Sequence, residues 1–130
     1  MIGIDLTSIS RIQKSYERFG KEFLDRFLSS QEQAQCIKSD QSINFQRLAS
    51  FWAIKEAVSK ALGVGICSEL GFLDIEISKS PRGAPEVKIN QDRREYFGVK
   101  EIAVSVTHDG GLAIASVMIT FDPPLDNAIS

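Results

Sequence analysis

The run from Ser42 to Leu62, closed by Gly63 as a helix-terminating residue, constrains this chain more than any other segment. At helical spacing, Phe51, Ile54, Val58 and Leu62 form one apolar stripe, and Phe45, Leu48, Ala49 and Trp52 form a second. A helix that is apolar on nearly every side belongs at the centre of a fold or beneath a neighbouring subunit. The chain has 130 residues, 43% of them hydrophobic. That supports one core around such a helix and little more, so a single domain is expected over residues 1–121, with 122–130 as a tail.

The flanking segments say what surrounds the helix. Met1 to Ile4 reads as a short strand that delivers Asp5 to its end. Ile9, Ile12, Tyr16 and Phe19 recur at helical steps, and Arg11, Lys14 and Arg18 fall on the opposite side. Gly20 stops that helix, Phe23, Leu24, Phe27 and Leu28 mark another short one, and Ser29 with Glu32 forms a capping box for a third running through Ile37. Beyond Gly63-Val64-Gly65 the period changes to two. Leu73, Ile75 and Ile77 alternate as a strand, Ser80 to Pro85 turns, and Glu86 to Ile89 returns. Gln91 to Phe97 reads as a short helix. Ile102, Val104 and Val106 form a strand that turns at His108-Asp109-Gly110-Gly111 into a last strand, Leu112 to Phe121. Helices mostly first and strands mostly later give an α+β fold, an antiparallel sheet packed with helices that include one long central helix.

Composition removes several function classes. Lys and Arg number 15 against 17 Asp and Glu, a formal charge of −2, so no nucleic-acid partner is expected, because phosphate-backbone binding calls for a basic excess. Cys36 and Cys67 form no C-x-x-C pair, which disfavours a disulfide framework or zinc finger and fits reduced, buried thiols in the cytoplasm. Asp5 interrupts any signal-like start, and no run of about 18 apolar residues occurs, so neither export nor membrane insertion is expected. A single histidine, His108, excludes H-E-x-x-H zinc chemistry. The glycines around Val64 lack the Walker A pattern.

Within the long helix Glu56 is the anomaly. The wheel places it in the Phe45/Leu48/Trp52 stripe, where a carboxylate is costly unless paired or metal-bound. Lys60, one turn on, offers an ordinary ion pair. Asp5 is either a cap carboxylate before Thr7 and Ser8 or a second oxygen ligand for Mg²⁺, an ion that takes one or two carboxylates plus water and substrate phosphates. Linear spacing leaves open whether residues 5 and 56 meet. His108 is a turn residue or a phosphate-binding or acid/base group, and Ser105 and Thr107 share one strand face. Cys36 and Cys67 read as small buried apolar groups. The basic face of Arg11, Lys14 and Arg18 is either simply solvated or attracts an acidic protein partner.

Three blocks in order then carry a resemblance: Gly3-Ile-Asp5-Leu with Arg11-Ile12, Phe51-Trp-Ala-Ile-Lys-Glu-Ala-Val-Ser-Lys-Ala-Leu-Gly63, and Ser105-Val-Thr-His108 with its following apolar strand. Together they resemble the small holo-acyl-carrier-protein synthase group of 4′-phosphopantetheinyl transferases. The resemblance implies transfer of phosphopantetheine from coenzyme A to a carrier-protein serine, with adenosine 3′,5′-bisphosphate as the second product. It implies Asp5 and Glu56 as Mg²⁺ ligands and Lys60 as a cation beside the leaving phosphate, with Lys55 supporting the helix or the cosubstrate from its other side. The serine proton would pass to Glu56 directly or through water. Ser105 and His108 would lie near the coenzyme A nucleotide, and Arg11, Lys14 and Arg18 would dock the acidic acyl carrier protein. A homotrimer with sites between subunits is also implied. Two positions depart from the family pattern: Phe51 stands where many relatives carry a basic residue, and Ala84 replaces the lysine of a Gly-Lys-Pro turn, with Arg82 nearby as a substitute cation.

Two other readings follow from the same residues. One is a noncatalytic module that binds an acidic partner through the basic helix, with Glu56 and Lys60 as a purely structural pair. The other is a coenzyme A phosphohydrolase that needs no carrier.

Overall fold

The central helix, α4, runs Phe45–Ala61 in the computed structural model, which describes residues 1–123. The expected tail therefore lies, from residue 124 onward, outside the described residues. The helix begins later than Ser42 because Asn44, not Ser42, caps it: its side chain accepts from the Arg47 backbone N–H at 3.0 Å. Ser42 is held instead by Asp40, whose Oδ1 accepts from both its N–H and its hydroxyl. As the two stripes required, α4 is buried on most sides, with Leu48, Ala49, Ala53, Ala57, Val58 and Ala61 excluded from solvent.

One side of α4 lies on a three-stranded antiparallel sheet in the order β1 (Ile2–Ser8), β5 (Leu112–Phe121), β4 (Val99–Asp109). Alternation sends Gly3, Asp5 and Thr7 of β1, and Ala113, Ala115, Val117 and Ile119 of β5, toward the helix. Small residues here permit a close approach. A Cβ built on Gly3 would stand 1.9 Å from the Ala57 carbonyl oxygen and 2.6 Å from the Ala61 nitrogen, so β1 and α4 touch backbone to backbone. The opposite side chains of the sheet, Ile2, Ile4, Leu6 and Met118, are all more than half exposed.

The other side of α4 meets α1 (Ile9–Phe19), α2 (Lys21–Phe27) and α3 (Ser30–Gln35). Ile9, Ile12 and Tyr16 pack inward as their spacing requires. Phe19, expected on the same stripe, is instead half exposed, with the Arg18 guanidinium 5.0 Å from its ring centroid. Phe23, Phe27, Trp52 and Phe72 form an aromatic cluster between the helices. The Ser29–Glu32 capping box is present in both directions. The helix it starts stops at Gln35, because Ile37 is taken up by a bridge to Ile43.

A separate hairpin, β2 (Ile75–Lys79) with β3 (Pro85–Ile89), follows, then α5 (Gln91–Phe97). The strand expected from Leu73 begins only at Ile75. Asp74 folds back, its carboxylate accepting from the Gly71 N–H at 2.8 Å, and the resulting 3₁₀ turn leaves Leu73 exposed.

A buried ion pair ties these parts together. The Lys55 ammonium, with no solvent exposure, donates to Glu32 Oε1 at 2.8 Å, to the Phe27 carbonyl at 2.7 Å and to the Phe72 carbonyl at 3.1 Å. Glu32 also accepts from the N–H groups of Ser29 and Ile77. Burial pushes the Lys55 ammonium below its ordinary range, against the opposing pull of Glu32. Lys55→Met strands a buried carboxylate and is expected to cost about 3–5 kcal/mol in urea unfolding, whereas adding Glu32→Leu restores part of that loss. A Glu32→Leu substitution that costs as much in the Lys55→Met background as in the wild type would show that the pair is not coupled.

Candidate active site

Asp5 does not sit at a strand end. Leu6 and Thr7 continue pairing with Ile114 and Ala113, and Ser8 both closes β1 and caps α1, so Asp5 lies mid-strand on the face turned to α4. Its carboxylate is mostly buried and held at both oxygens: Thr7 Oγ1 donates to Oδ2 at 2.6 Å, and Lys60 Nζ donates to Oδ1 at 2.8 Å. Lys60 also donates to the Ile4 carbonyl at 3.2 Å. Of the two readings open for Lys60, the ion pair with Glu56 along the helix is not the one formed: Lys60 bridges from helix to strand, which the close contact at Gly3 makes possible.

Glu56 is half-buried on α4. Desolvation raises its carboxyl above the ordinary glutamate range, and the Asp5 charge raises it further, against the pull of Lys60 and Arg11. Two acids and two cations, Asp5, Glu56, Lys60 and Arg11, therefore share one electrostatic neighbourhood. Among the described residues no group of three or more His, Cys, Asp or Glu side chains is placed to hold a metal. A closed protein cage for a transition metal is not built here. A pair of carboxylates, one of them destabilised by the other, does suit Mg²⁺, which leaves most of its coordination to water and phosphate.

A second grouping lies along α4 toward its N-terminus. A cleft of about 220 Å³ is lined by Asn44, Gln46, Arg47, Lys79 and His108, with Phe51 and Ile54 as an apolar floor. His108 belongs to β4 rather than to a turn, and the Gln46 amide donates to its Nδ1 at 2.9 Å. Arg47 is fixed by donating to the Gln35 carbonyl at 2.8 Å. Positively charged side chains thus reach this cleft despite Phe51 and Ala84. They come from Arg47 and Lys79, while Arg82, at the exposed hairpin tip, does not line it. Gln46 and Glu56 are ten positions apart, about 15 Å of helix.

Ser105 does not join either group. It pairs with Ser116 and points to the outer sheet face, opposite to His108. Arg11, Lys14 and Arg18 are all exposed on α1, and Arg11 stands at the end nearest Glu56. Cys36 is buried, its thiol pushed up to about 12 by desolvation, which removes it as a nucleophile. Cys67, expected to be buried, is exposed in the loop after α4. Neither the Lys55–Glu32 pair nor the cleft residues Gln46, Arg47 and Lys79 were singled out from the sequence. Lys55 carried the one available signal, a lysine inside an apolar helix.

Residues 1–116 match the 4′-phosphopantetheinyl transferase superfamily. The chain belongs to that superfamily. A holo-[acyl-carrier-protein] synthase of Campylobacter hominis is 50% identical over 119 residues, 92% of this chain and 96% of the relative. One from Helicobacter pylori is 48% identical over 120 residues, covering 92% and 97%. The crystal structure of Helicobacter pylori holo-[acyl-carrier-protein] synthase in complex with coenzyme A superposes with a TM-score of 0.86 at 47% identity, over 92% of this chain and all of that one. The α+β fold and the transferase class expected from the three sequence blocks are those of this superfamily. Within this chain Asp5 and Lys60 form an ion pair whose charges both act on Glu56, and His108 lines the separate cleft.

Because the folded protein holds Glu56 above its unfolded value, its contribution to stability is full below the ordinary glutamate value of 4.5 and is lost as pH rises through the folded value. Glu56→Gln is therefore expected to raise the Tm of metal-free protein at pH 7 and to leave it unchanged at pH 3.5. Differential scanning calorimetry at the two pH values checks this. A variant less stable at pH 7 would contradict the assignment.

Proposed function

We propose that this protein transfers the 4′-phosphopantetheine group of coenzyme A to a serine of an apo acyl carrier protein, releasing adenosine 3′,5′-bisphosphate in an Mg²⁺-dependent reaction. The convergence of Asp5 and Glu56 beside Lys60 carries this reading. Asp5 and Glu56 would hold the ion, which supplies charge neutralisation to the diphosphate as the phosphorus–oxygen bond changes hands. Lys60, half exposed and on the same side as Asp5, offsets charge on the departing phosphate. The serine hydroxyl loses its proton to the Glu56 carboxylate, directly or through a water, and an elevated glutamate is a better acceptor than an ordinary one.

The cleft around His108 suits the nucleotide end of coenzyme A. Arg47 and Lys79 complement phosphate, Gln46 and His108 offer hydrogen bonds, and Phe51 gives an apolar face. Arg11, Lys14 and Arg18 form a cationic path that begins beside Glu56, which suits an acidic carrier presenting its serine there. The outer sheet face supports a homotrimer: Ile2, Ile4, Leu6 and Met118 make a continuous apolar surface that a second copy would cover. A site shared between copies also accommodates Ser105 on that face and the separation of the His108 cleft from the acids. Coenzyme A and two free cysteines fit a cytoplasmic setting. Among the described residues no helix is long and apolar enough to cross a membrane. The alternative, a noncatalytic module that holds an acidic partner through the basic helix, predicts no Mg²⁺ dependence of coenzyme A binding, which the transferase reading requires.

Incubation with coenzyme A, Mg²⁺ and an apo carrier protein is expected to add phosphopantetheine to the carrier, read by intact mass. Asp5→Asn and Glu56→Gln should each cut the rate by about 10²-fold or more with circular dichroism unchanged. Folded protein that modifies no carrier, or that releases phosphopantetheine without one, defeats the reading. Lys14→Glu should raise KM for the carrier with kcat kept, an effect that shrinks with added salt. Leu6→Glu should convert the trimer to smaller species in sedimentation velocity. A wild-type protein that sediments as a monomer refutes the assembly.

A further inference from the structure

We infer that Lys60 is an exchangeable counter-ion: its ammonium occupies Asp5 until a phosphate draws it away, so that the divalent cation and coenzyme A load together rather than independently. The inference rests on the proposed metal role of Asp5 and Glu56 and concerns what the chain's own lysine does to it.

Three observations carry it. Lys60 Nζ lies 2.8 Å from Asp5 Oδ1, while Thr7 Oγ1 occupies the other oxygen, so both oxygens of Asp5 already have a hydrogen-bond donor. A cation that used Oδ1 would meet an ammonium at hydrogen-bond distance from the same atom, and like charges that close repel. Lys60 is nevertheless easy to dislodge. Its side chain is half exposed, its second partner is a single carbonyl at 3.2 Å, and an ion pair of this exposure is weak. Lys55, five residues earlier on the same helix, shows the contrast: fully buried, with three acceptors, it cannot serve as a movable group.

The diphosphate of coenzyme A offers Lys60 an anion of higher charge than a carboxylate. Moving the ammonium to phosphate clears Oδ1 for the metal, and the metal in turn screens the phosphate from Asp5. Each ligand therefore favours the other, and the coupling is reciprocal. Arg11 is not the exchanging group, because no hydrogen bond ties its guanidinium to Asp5 among the described residues.

Mn²⁺, read by loss of its free-ion electron paramagnetic resonance signal, tests this without turnover. In coenzyme A-free protein, Lys60→Gln should bind Mn²⁺ roughly two- to fivefold more tightly than wild type, the range set by displacing a half-exposed ion pair, and Lys60→Arg should stay near wild type. Coenzyme A, with its protein-free blank subtracted, should tighten Mn²⁺ binding in wild type more than in Lys60→Gln. Equal or weaker Mn²⁺ binding by Lys60→Gln, with wild-type coupling to coenzyme A, overturns the exchange and leaves the metal site standing. Absence of Mn²⁺ binding in all three proteins, with and without coenzyme A, overturns both.

Discussion

A lysine and a glutamate shut away from water hold this fold in register. Lys55 projects from the central helix into a socket made by the end of α2, the cap of α3 and the 3₁₀ turn before β2, and Glu32 answers it while also capping α3 and meeting the first hairpin strand. Buried ion pairs add little net stability compared with apolar residues of equal volume, but they tolerate few alternative arrangements. Here the groups that meet at the pair come from four elements besides α4: the end of α2, α3 with its cap, the 3₁₀ turn and β2. A rotation of α4 about its axis would leave Nζ without acceptors, so the helix has one setting, and in that setting Glu56, the next residue, is turned toward β1.

The two lysines of α4 divide the work that charge can do. Lys55 is immobilised and specifies structure, whereas Lys60 lies at the rim, bridges to Asp5 and can leave. Glu56 and Asp5 are brought together against their mutual repulsion, and the fold tolerates this because Lys60 and Arg11 stand close by. Such an arrangement is poor for stability and good for binding a cation and a polyphosphate, a trade common where chemistry is done.

Much of this was legible in the sequence. The periodicities gave α1, the capping box, the central helix, the hairpins and α5 because each is determined by neighbours along the chain. Errors fell where a partner is distant. The residues before Asp5 read as a finished strand because they are apolar and short, and only the pairing of Leu6 and Thr7 with β5 extends it. For Lys60 helical spacing offers only Glu56 as a partner, because it sees i and i+4 and not the strand that runs beside the helix. Ser42 looked like a helix start until Asp40 claimed its hydrogen bonds. Glu32 was recognised as a cap, but its second role depends on a lysine 23 positions away. The three ordered blocks found the superfamily. Arg47 and Lys79, which bring charge to the cleft beside His108, fall on no periodic pattern.

The contact at Gly3 has a reach beyond its own position. Because β1 and α4 meet through main-chain atoms, the gap between strand and helix is set by covalent geometry rather than by how well side chains mesh. Neighbouring core residues can be exchanged for others of similar size without changing the spacing between β1, which carries Asp5, and α4, which carries Glu56. That spacing is a mechanical dimension of the enzyme, and the handle that adjusts it is a residue with no functional group at all.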